Sequence, residues 1–487
     1  MSAAYSNGTG RGVAVVGGGL AGISAALRCA DAGCSVVLYE TRRNLGGLTH
    51  SFHRGELAVD NGQHVFLRCC TAYRELLDRL GVAEKVSLQD RLSIPVRRPG
   101  DPRTAVLRRD ELPAPLHLAA SVLRYHPLSV AERLRFAGAG LALRRVDPSA
   151  AATDRQSFGD WLRRHGQSDR AIAALWDLVG IATLNARADD ASLALAATVF
   201  QQGLLTEASA ADIGWSRVPL GQLHGEPALA ALAAEGASVR RTSPVRRITP
   251  AAGRWLVSTD ASTDVSTDVS TDTSTVPGEE LFDDVVLAVP PTIAEELLPP
   301  GADTQPPGWS AQLGSTPIVN VHVVFDRPVL DEPFLAGVGT EVQWVFNRTE
   351  AAGLAGTEHA GGQYLALSLS AADKLIEEPT EHLRARFLPA LRALLPAAAT
   401  AEVRDFFVTR ERTATFRQAP GSAAPRPPAR TRARGLYLAG AWTATGWPAT
   451  MEGAVRSGIT AAAALLDRDP PSWAPNPSGR PREGVVA

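Results

Sequence analysis

Three glycines near the start constrain this chain more than any other feature. The β-branched run VAVV, residues 13–16, leads directly into Gly17-x-Gly19-x-x-Gly22. Residues 20–32 then read as a helix, residues 35–39 (SVVLY) as a second strand, and Glu40 closes that strand. A strand–turn–helix–strand unit begins a parallel sheet, so an α/β fold is expected, α+β over the whole chain. Gly17 permits the tight turn, Gly19 lets backbone amides approach a pyrophosphate at the helix N-terminus, and Gly22 lets helix and sheet pack closely. Glu40 can accept hydrogen bonds from both hydroxyls of a ribose, which points to a dinucleotide.

The totals exclude several alternatives. At 487 residues the chain is too long for one simple core. A net charge of −2 leaves no basic excess for phosphate backbones, so no nucleic-acid partner is expected. Cys29, Cys34, Cys69 and Cys70 do not make a disulfide scaffold in a chain of this size. The adjacent Cys69 and Cys70 are expected as two packed thiols in a reducing compartment, with a redox pair as the lesser alternative. The first residues, MSAAYSNGTGRG, lack the basic and apolar regions of a signal peptide. No stretch reaches the ~18 apolar residues of a membrane-spanning helix. The expected location is cytoplasmic, with attachment to the membrane surface left open. No metal site is expected.

Periodicity is mostly helical from about 112 to 235, and strand-like runs resume at 253–258, 285–289, 317–326, 341–347, 363–370 and 403–409. The chain closes with a strand at 435–440 and a helix from about 449 to 467. Residues 258–275, STDASTDVSTDVSTDTST, form a low-complexity repeat with Asp260, Asp264, Asp268 and Asp272 in register. Between two strand-like runs, it reads as an expanded hairpin loop.

NAD and FAD share the glycine fingerprint, and the residues after Glu40 separate them. The segment ETRRNLGGLTHSF places a second pair, Gly46-Gly47, six residues on. It resembles the E-x-R-x-x-x-G-G segment of amine-oxidase-like flavoproteins, in which backbone runs beside an extended FAD. DNGQH, residues 60–64, is similar to the D-x-G turn that family places near the flavin ring. AGAWTATGWPATMEGAVRSG, residues 439–458, is similar to its closing strand–turn–helix, whose N-terminus faces the N1–C2=O edge of the flavin. The family commonly has an acidic residue directly after the strand's Gly; this chain has Ala441, a loss of ~1–3 kcal/mol of hydrogen bonding if the ribityl hydroxyl went unsatisfied.

Other stretches resemble one branch more closely, the squalene-associated FAD-dependent desaturases or hydroxysqualene dehydroxylases. They are VDNGQHVFLRCCTAYRELLDRLGV (59–82), LWDLVGIATLNARADDAS (175–192), VPLGQLHGEPALAAL (218–232), ERTATFRQAPGSAAPRP (411–427) and GAWTATGWPATMEGAVRSG (440–458). The resemblance implies a Rossmann-like FAD-binding domain of the amine oxidase/phytoene desaturase type, interleaved with a substrate domain of helices and a mixed β-sheet. The expected FAD part is 1–85, 230–302 and 430–470. The expected substrate part is 86–229 and 303–429, helical over 110–225 and sheet over 313–410, with a tail at 471–487.

The implied cofactor contacts are Gly17, Gly19, Leu20, Ala21, Gly22, Glu40, Arg42, Gly46, Gly47, Leu48, Gly62, Gln63, His64, Val245, Gly440, Ala441, Pro448 and Met451. The implied reaction is reductive: an allylic hydroxyl of hydroxysqualene leaves, and hydride from reduced FAD gives squalene. Hydroxide is a poor leaving group, so an acid should assist; the candidates are His64, Asp60 and Glu452, with His64 nearest to working pH. Only one dinucleotide fingerprint occurs, so the reductant, NAD(P)H or a redox protein, is external. Residues 116–145 mix Leu, Val and Phe with Arg124, Arg133, Arg135, Arg144 and Arg145. That composition suits either a helix pair lying on anionic lipid, where a C30 isoprenoid enters, or an ordinary core-facing hairpin. Two rival readings stand beside this one: a carotenoid desaturase, whose closing motif MEGAVRSG approaches, and a non-catalytic prenyl-lipid carrier.

Overall fold

The computed structural model describes residues 10–101, 103–260 and 278–469. Its central sheet has five parallel strands in the order Ser238–Arg240, Ser35–Tyr39, Gly12–Val16, Asp284–Leu287, Leu436–Leu438. Strands from both ends of the chain are therefore neighbours in one sheet. Successive side chains alternate between its faces. Val13, Val15, Val36 and Leu38 join the core of helices Leu20–Asp31 and Met451–Leu465. Ala14, Val16, Val37, Val285 and Leu287 pack instead into the cluster holding Trp255, Val257 and Phe282. Burial on both faces explains why these strands read as unbroken apolar runs.

The two helices cross closely because Gly458 lacks a side chain: a Cβ there would lie 2.1 Å from the Ala21 carbonyl oxygen. Small residues on both helices thus bring the end of the fold onto the first turn after the glycine cradle.

A second sheet has seven strands in the order Val403–Thr415, Thr316–Phe325, Gln363–Leu369, Trp344–Asn347, Phe334–Gly337, Ser93–Arg97, Ala105–Arg108. It is mixed, with Phe334–Gly337 and Ser93–Arg97 parallel. The last two strands come from a region where periodicity predicts none. A small third sheet pairs Val65–Leu67 and Val86–Leu88 with Ile213–Ser216. It ties the DNGQH turn to the far end of the helical region.

The strands flanking the acidic repeat, Arg254–Thr259 and Glu279–Phe282, pair antiparallel. Most of the repeat (261–275) and the tail 471–487 lie outside the described residues. Among the described residues, no helix is long and apolar enough to cross a membrane.

Candidate active site

The cradle is built by backbone. Gly17 adopts φ +110°, and a Cβ there would sit 2.4 Å from the Ala288 carbonyl oxygen. At Gly22 a Cβ would meet the Gly17 carbonyl oxygen at 1.8 Å. At Gly19 a Cβ would meet only the Cα of Gly47, at 3.8 Å, so this glycine leaves its outer side open for a ligand. The second glycine pair packs directly on the first: Gly46 N–H donates to the Gly18 carbonyl at 2.8 Å. Leu20 and Ala21 are buried in the first helical turn.

Glu40 is held ready by two amides, with Gly18 N–H and Arg42 N–H each donating to its carboxylate at 2.7 Å. The Arg42 side chain itself is exposed. Ser243 N–H donates to the Glu40 carbonyl at 3.0 Å, which brings buried Val245 alongside the same end of the cradle.

The DNGQH turn is clamped from several directions. Asp60 accepts from Ser51 Oγ at 2.7 Å, from Leu220 N–H at 2.9 Å and from buried Arg348 at 2.8 Å. Arg348 also donates to the Ser216 carbonyl at 2.8 Å. The Asn61 carbonyl accepts from Asn320 Nδ2 and Thr409 Oγ1, both at 3.3 Å. Behind Thr409 stands buried His322, whose Nε2 lies 3.0 Å from Thr409 Oγ1 and whose Nδ1 lies 2.7 Å from Tyr364 Oη. Burial pushes the His322 pKa down to about 3.

His64 emerges from this clamp. Desolvation holds its pKa below the ordinary histidine value, opposed by the Asp60 charge and by a hydrogen bond to the Leu48 carbonyl. The residue nevertheless keeps some accessible surface. Its Nε2 would lie 3.3 Å from a Cβ on Gly62, so a side chain there would press on the ring. Next to it, Gln63 Nε2 is buried with no hydrogen-bond partner. A buried amide lacking a partner costs about 1–3 kcal/mol, which marks it as a group waiting for a ligand acceptor.

The closing loop depends on Arg426, buried and without a carboxylate partner. Its guanidinium donates to the carbonyls of Ala441, Trp442, Thr443 and Trp447 and to Thr445 Oγ1, at 2.5–3.4 Å. Burial draws its pKa down to about 10. Ala441 thus serves through its carbonyl, and Gly440 N–H is met by Ser457 Oγ at 2.8 Å. Buried Pro448 precedes Ala449, whose N–H donates to Gln418 Oε1 at 3.0 Å; Gln418 Nε2 in turn donates to the Leu184 carbonyl at 2.6 Å. Thr450 caps the final helix by accepting from Gly453 N–H, and Met451 opens that helix, half-buried against the cradle's core.

Glu452 points away from this loop. Its carboxylate accepts from Tyr73 N–H at 2.7 Å, from Ala72 N–H at 3.3 Å and from Arg456 at 2.6 Å. It therefore caps the helix Thr71–Arg79 and links it to the last one. The carboxylates of Asp60 and Glu452 are both occupied as acceptors, whereas His64 retains accessible surface beside the unpartnered Gln63 amide.

The family of flavin-containing amine oxidoreductases matches residues 20–466. This chain belongs to that family. It is a flavin oxidoreductase, and its cofactor is FAD. The open side of Gly19, the two-amide Glu40 and the unpartnered Gln63 amide all fit that group. The flavoprotein is 32% identical to a hydroxysqualene dehydroxylase of Rhodopseudomonas palustris, over 93% of this chain and 98% of that relative. It is 27% identical to a zeta-carotene desaturase of Synechocystis, over 93% and 97%. A solved putrescine oxidase shares its fold, with a TM-score of 0.65 at 20% identity over 94% of this chain and 99% of that one.

Nothing local in the sequence marks Arg348, Arg426, Gln418, Asn320 or His322 as part of the site. Arg426 and Gln418 lie in the 411–427 segment, whose family likeness was the one available signal.

Proposed function

We propose that this flavoprotein reductively removes the allylic hydroxyl of hydroxysqualene to give squalene. The observation that carries the reading is end-to-end likeness to a hydroxysqualene dehydroxylase at 32% identity. In the proposed division, the five-stranded sheet and the closing loop hold FAD. The seven-stranded sheet and the helices before it receive a hydrophobic C30 isoprenoid.

The residues proposed to hold FAD are the cradle glycines, Glu40, Gln63 and the 440–451 segment. FAD in its reduced form supplies the hydride that replaces the hydroxyl. The carbon–oxygen bond breaks heterolytically, the oxygen leaves as water after taking a proton, and the allylic carbon gains the hydride.

His64 is the proposed proton donor, with Asp60 and Glu452 as anchors. One of its ring nitrogens is engaged by the Leu48 carbonyl. A second N–H, free to face substrate, exists only in the imidazolium form. Burial makes that form scarce but more acidic, which suits protonation of a poor leaving group. Desolvated surroundings also keep water from recapturing the carbocation. The reducing equivalents come from NAD(P)H or a redox protein, because the chain carries one dinucleotide cradle.

Anaerobic turnover of hydroxysqualene by dithionite-reduced enzyme tests the reading. Squalene formed in step with flavin reoxidation is the expected result. A carotenoid desaturase is the second reading, favoured by the zeta-carotene desaturase likeness. It would instead show oxidised enzyme extending conjugation in a colourless polyene, with hydroxysqualene left untouched.

A further inference from the structure

The described residues include eleven large apolar side chains that stand exposed, and seven of them cluster within 106–141: Val106, Leu112, Leu116, Leu123, Val130, Leu134 and Leu141. The helix Val130–Leu143 shows why this is unusual. Its inward side buries Ala139, Gly140 and Leu143, with Phe136 packed against the core. Its outward side carries Val130, Leu134, Ala137, Gly138 and Leu141, which are exposed and fall on a single helical stripe. A helix apolar on both sides is expected to be covered on both.

Charge says what covers the outer side. Residues 106–145 hold seven arginines and three carboxylates, Asp110, Glu111 and Glu132, and Glu111 is paired with Arg91 outside the segment. Glu132 is already spent on Ser129, Ser168 and Arg170. Arg133 is turned onto the carbonyls of Leu128 and Leu123. Arg124, Arg135, Arg144 and Arg145 are exposed, and among the described residues none of them forms an ion pair. An apolar stripe with unpaired arginines beside it matches the interface of an anionic bilayer, with acyl chains beneath headgroup phosphates.

The inner face of the same segment leads toward the site. Leu118, Tyr125, Leu128 and Phe136 pack in one apolar cluster with Trp215 and Trp344. That cluster also takes in Val65, the residue after His64. We propose that residues 106–145 are a docking face for anionic lipid, through which an apolar substrate passes from the bilayer toward His64. The docking half of the proposal stands without the assignment of hydroxysqualene; the passage half rests on that assignment.

The test is flotation of the full-length, FAD-loaded protein with vesicles of pure phosphatidylcholine, and of phosphatidylcholine mixed with phosphatidylglycerol. Binding is expected to the anionic vesicles and to fall as salt rises. Arg144→Gln with Arg145→Gln should weaken it about 30-fold, taking each arginine near the surface as about 1 kcal/mol. Leu134→Gln with Leu141→Gln should weaken it at least tenfold. All four positions are exposed, so retained yellow colour and an unchanged melting temperature check that each variant is folded.

Equal affinity for both vesicle types, or binding that survives both double substitutions, overturns the proposal. So does a wild-type dimer that the leucine substitutions convert to monomer without changing vesicle binding, since the stripe would then cover a second copy. Soluble, detergent-dispersed substrate turned over normally by the leucine variant, together with slowed turnover of vesicle-borne substrate, supports the passage half. Equal slowing of both overturns that half and leaves the hydroxysqualene assignment standing.

Discussion

Two buried arginines fasten the site, and they are satisfied in opposite ways. Arg348 meets the carboxylate of Asp60 at 2.8 Å and joins the seven-stranded sheet to the DNGQH turn. Arg426 meets only neutral oxygens, four carbonyls and one hydroxyl of the 441–447 loop. The first is a charge pair, sensitive to the loss of either partner. The second is a clamp, in which the number and direction of donors outweigh the charge. Desolvation outweighs the opposing charge of Asp154, which is why the Arg426 pKa falls to about 10. A buried guanidinium can therefore organise the 441–447 loop without a direct ion pair, through the oxygens gathered around its Nε and Nη2.

The largest effect is expected on the clamp. Arg426→Ala should cost at least ~4 kcal/mol, because several buried carbonyls lose their donors at once. It should be read as a lower melting temperature and a loss of bound flavin. Arg426→Lys keeps the charge but has three donors in place of five. Full recovery by lysine would erase the difference between clamp and charge pair.

The charge pair should respond differently. Asp60→Asn leaves Arg348 buried without its counter-charge and should cost about 3–5 kcal/mol in chemical denaturation. Adding Arg348→Met should recover part of that loss, because the stranded charge is then gone. Additive losses in this cycle would show that the pair is not coupled.

A kinetic comparison sharpens the contrast. As proton donor, His64 must be protonated, so kcat should fall as pH rises through its depressed pKa. His64→Gln should lower kcat about 100-fold or more and abolish that limb. The Asp60 charge raises the His64 pKa. Asp60→Asn should therefore move the limb to lower pH, whereas Arg426→Lys should leave it in place. A limb that moves equally in both variants would count against His64.

The last comparison concerns acid stability, where the effect is small at each pH unit and accumulates as pH falls. Burial pulls His224 and His322 down to about 3. Between the unfolded value near 6.5 and 3, the unfolded chain binds the proton and the native protein does not. Stability should thus be complete above about 6.5 and fall with decreasing pH by about 1.4 kcal/mol per unit for each histidine. His322→Gln, on the Arg348 side of the site, should flatten that slope in equilibrium unfolding measured from pH 7 to 4.

Much of the frame was legible because its requirements are local. The turn at Gly17, the helix Leu20–Asp31, the strand Ser35–Tyr39 and the final helix follow from φ angles, small residues and apolar periodicity within a few positions. The strands Ser93–Arg97 and Ala105–Arg108 were not legible. They are short and pair with each other as a local hairpin, and their place at the end of the seven-stranded sheet rests on two residue pairs with Phe334–Gly337, more than 200 residues later. Asp60 and Glu452 illustrate the same limit at the level of side chains. From the sequence each is an acid near the ring; in the fold each carboxylate is occupied by partners from distant segments.

By itself, then, the sequence determined that this chain cradles a dinucleotide and finishes with a strand–turn–helix, because backbone geometry and side-chain volume act between near neighbours. Only the tertiary structure decided which polar groups are committed and which are free. Arg348 reaches Asp60 across 288 positions, and Glu452 reaches Tyr73 across 379. Such pairings depend on how whole sheets and helices meet, since a buried hydrogen bond forms wherever packing brings donor and acceptor together, however far apart they lie along the chain.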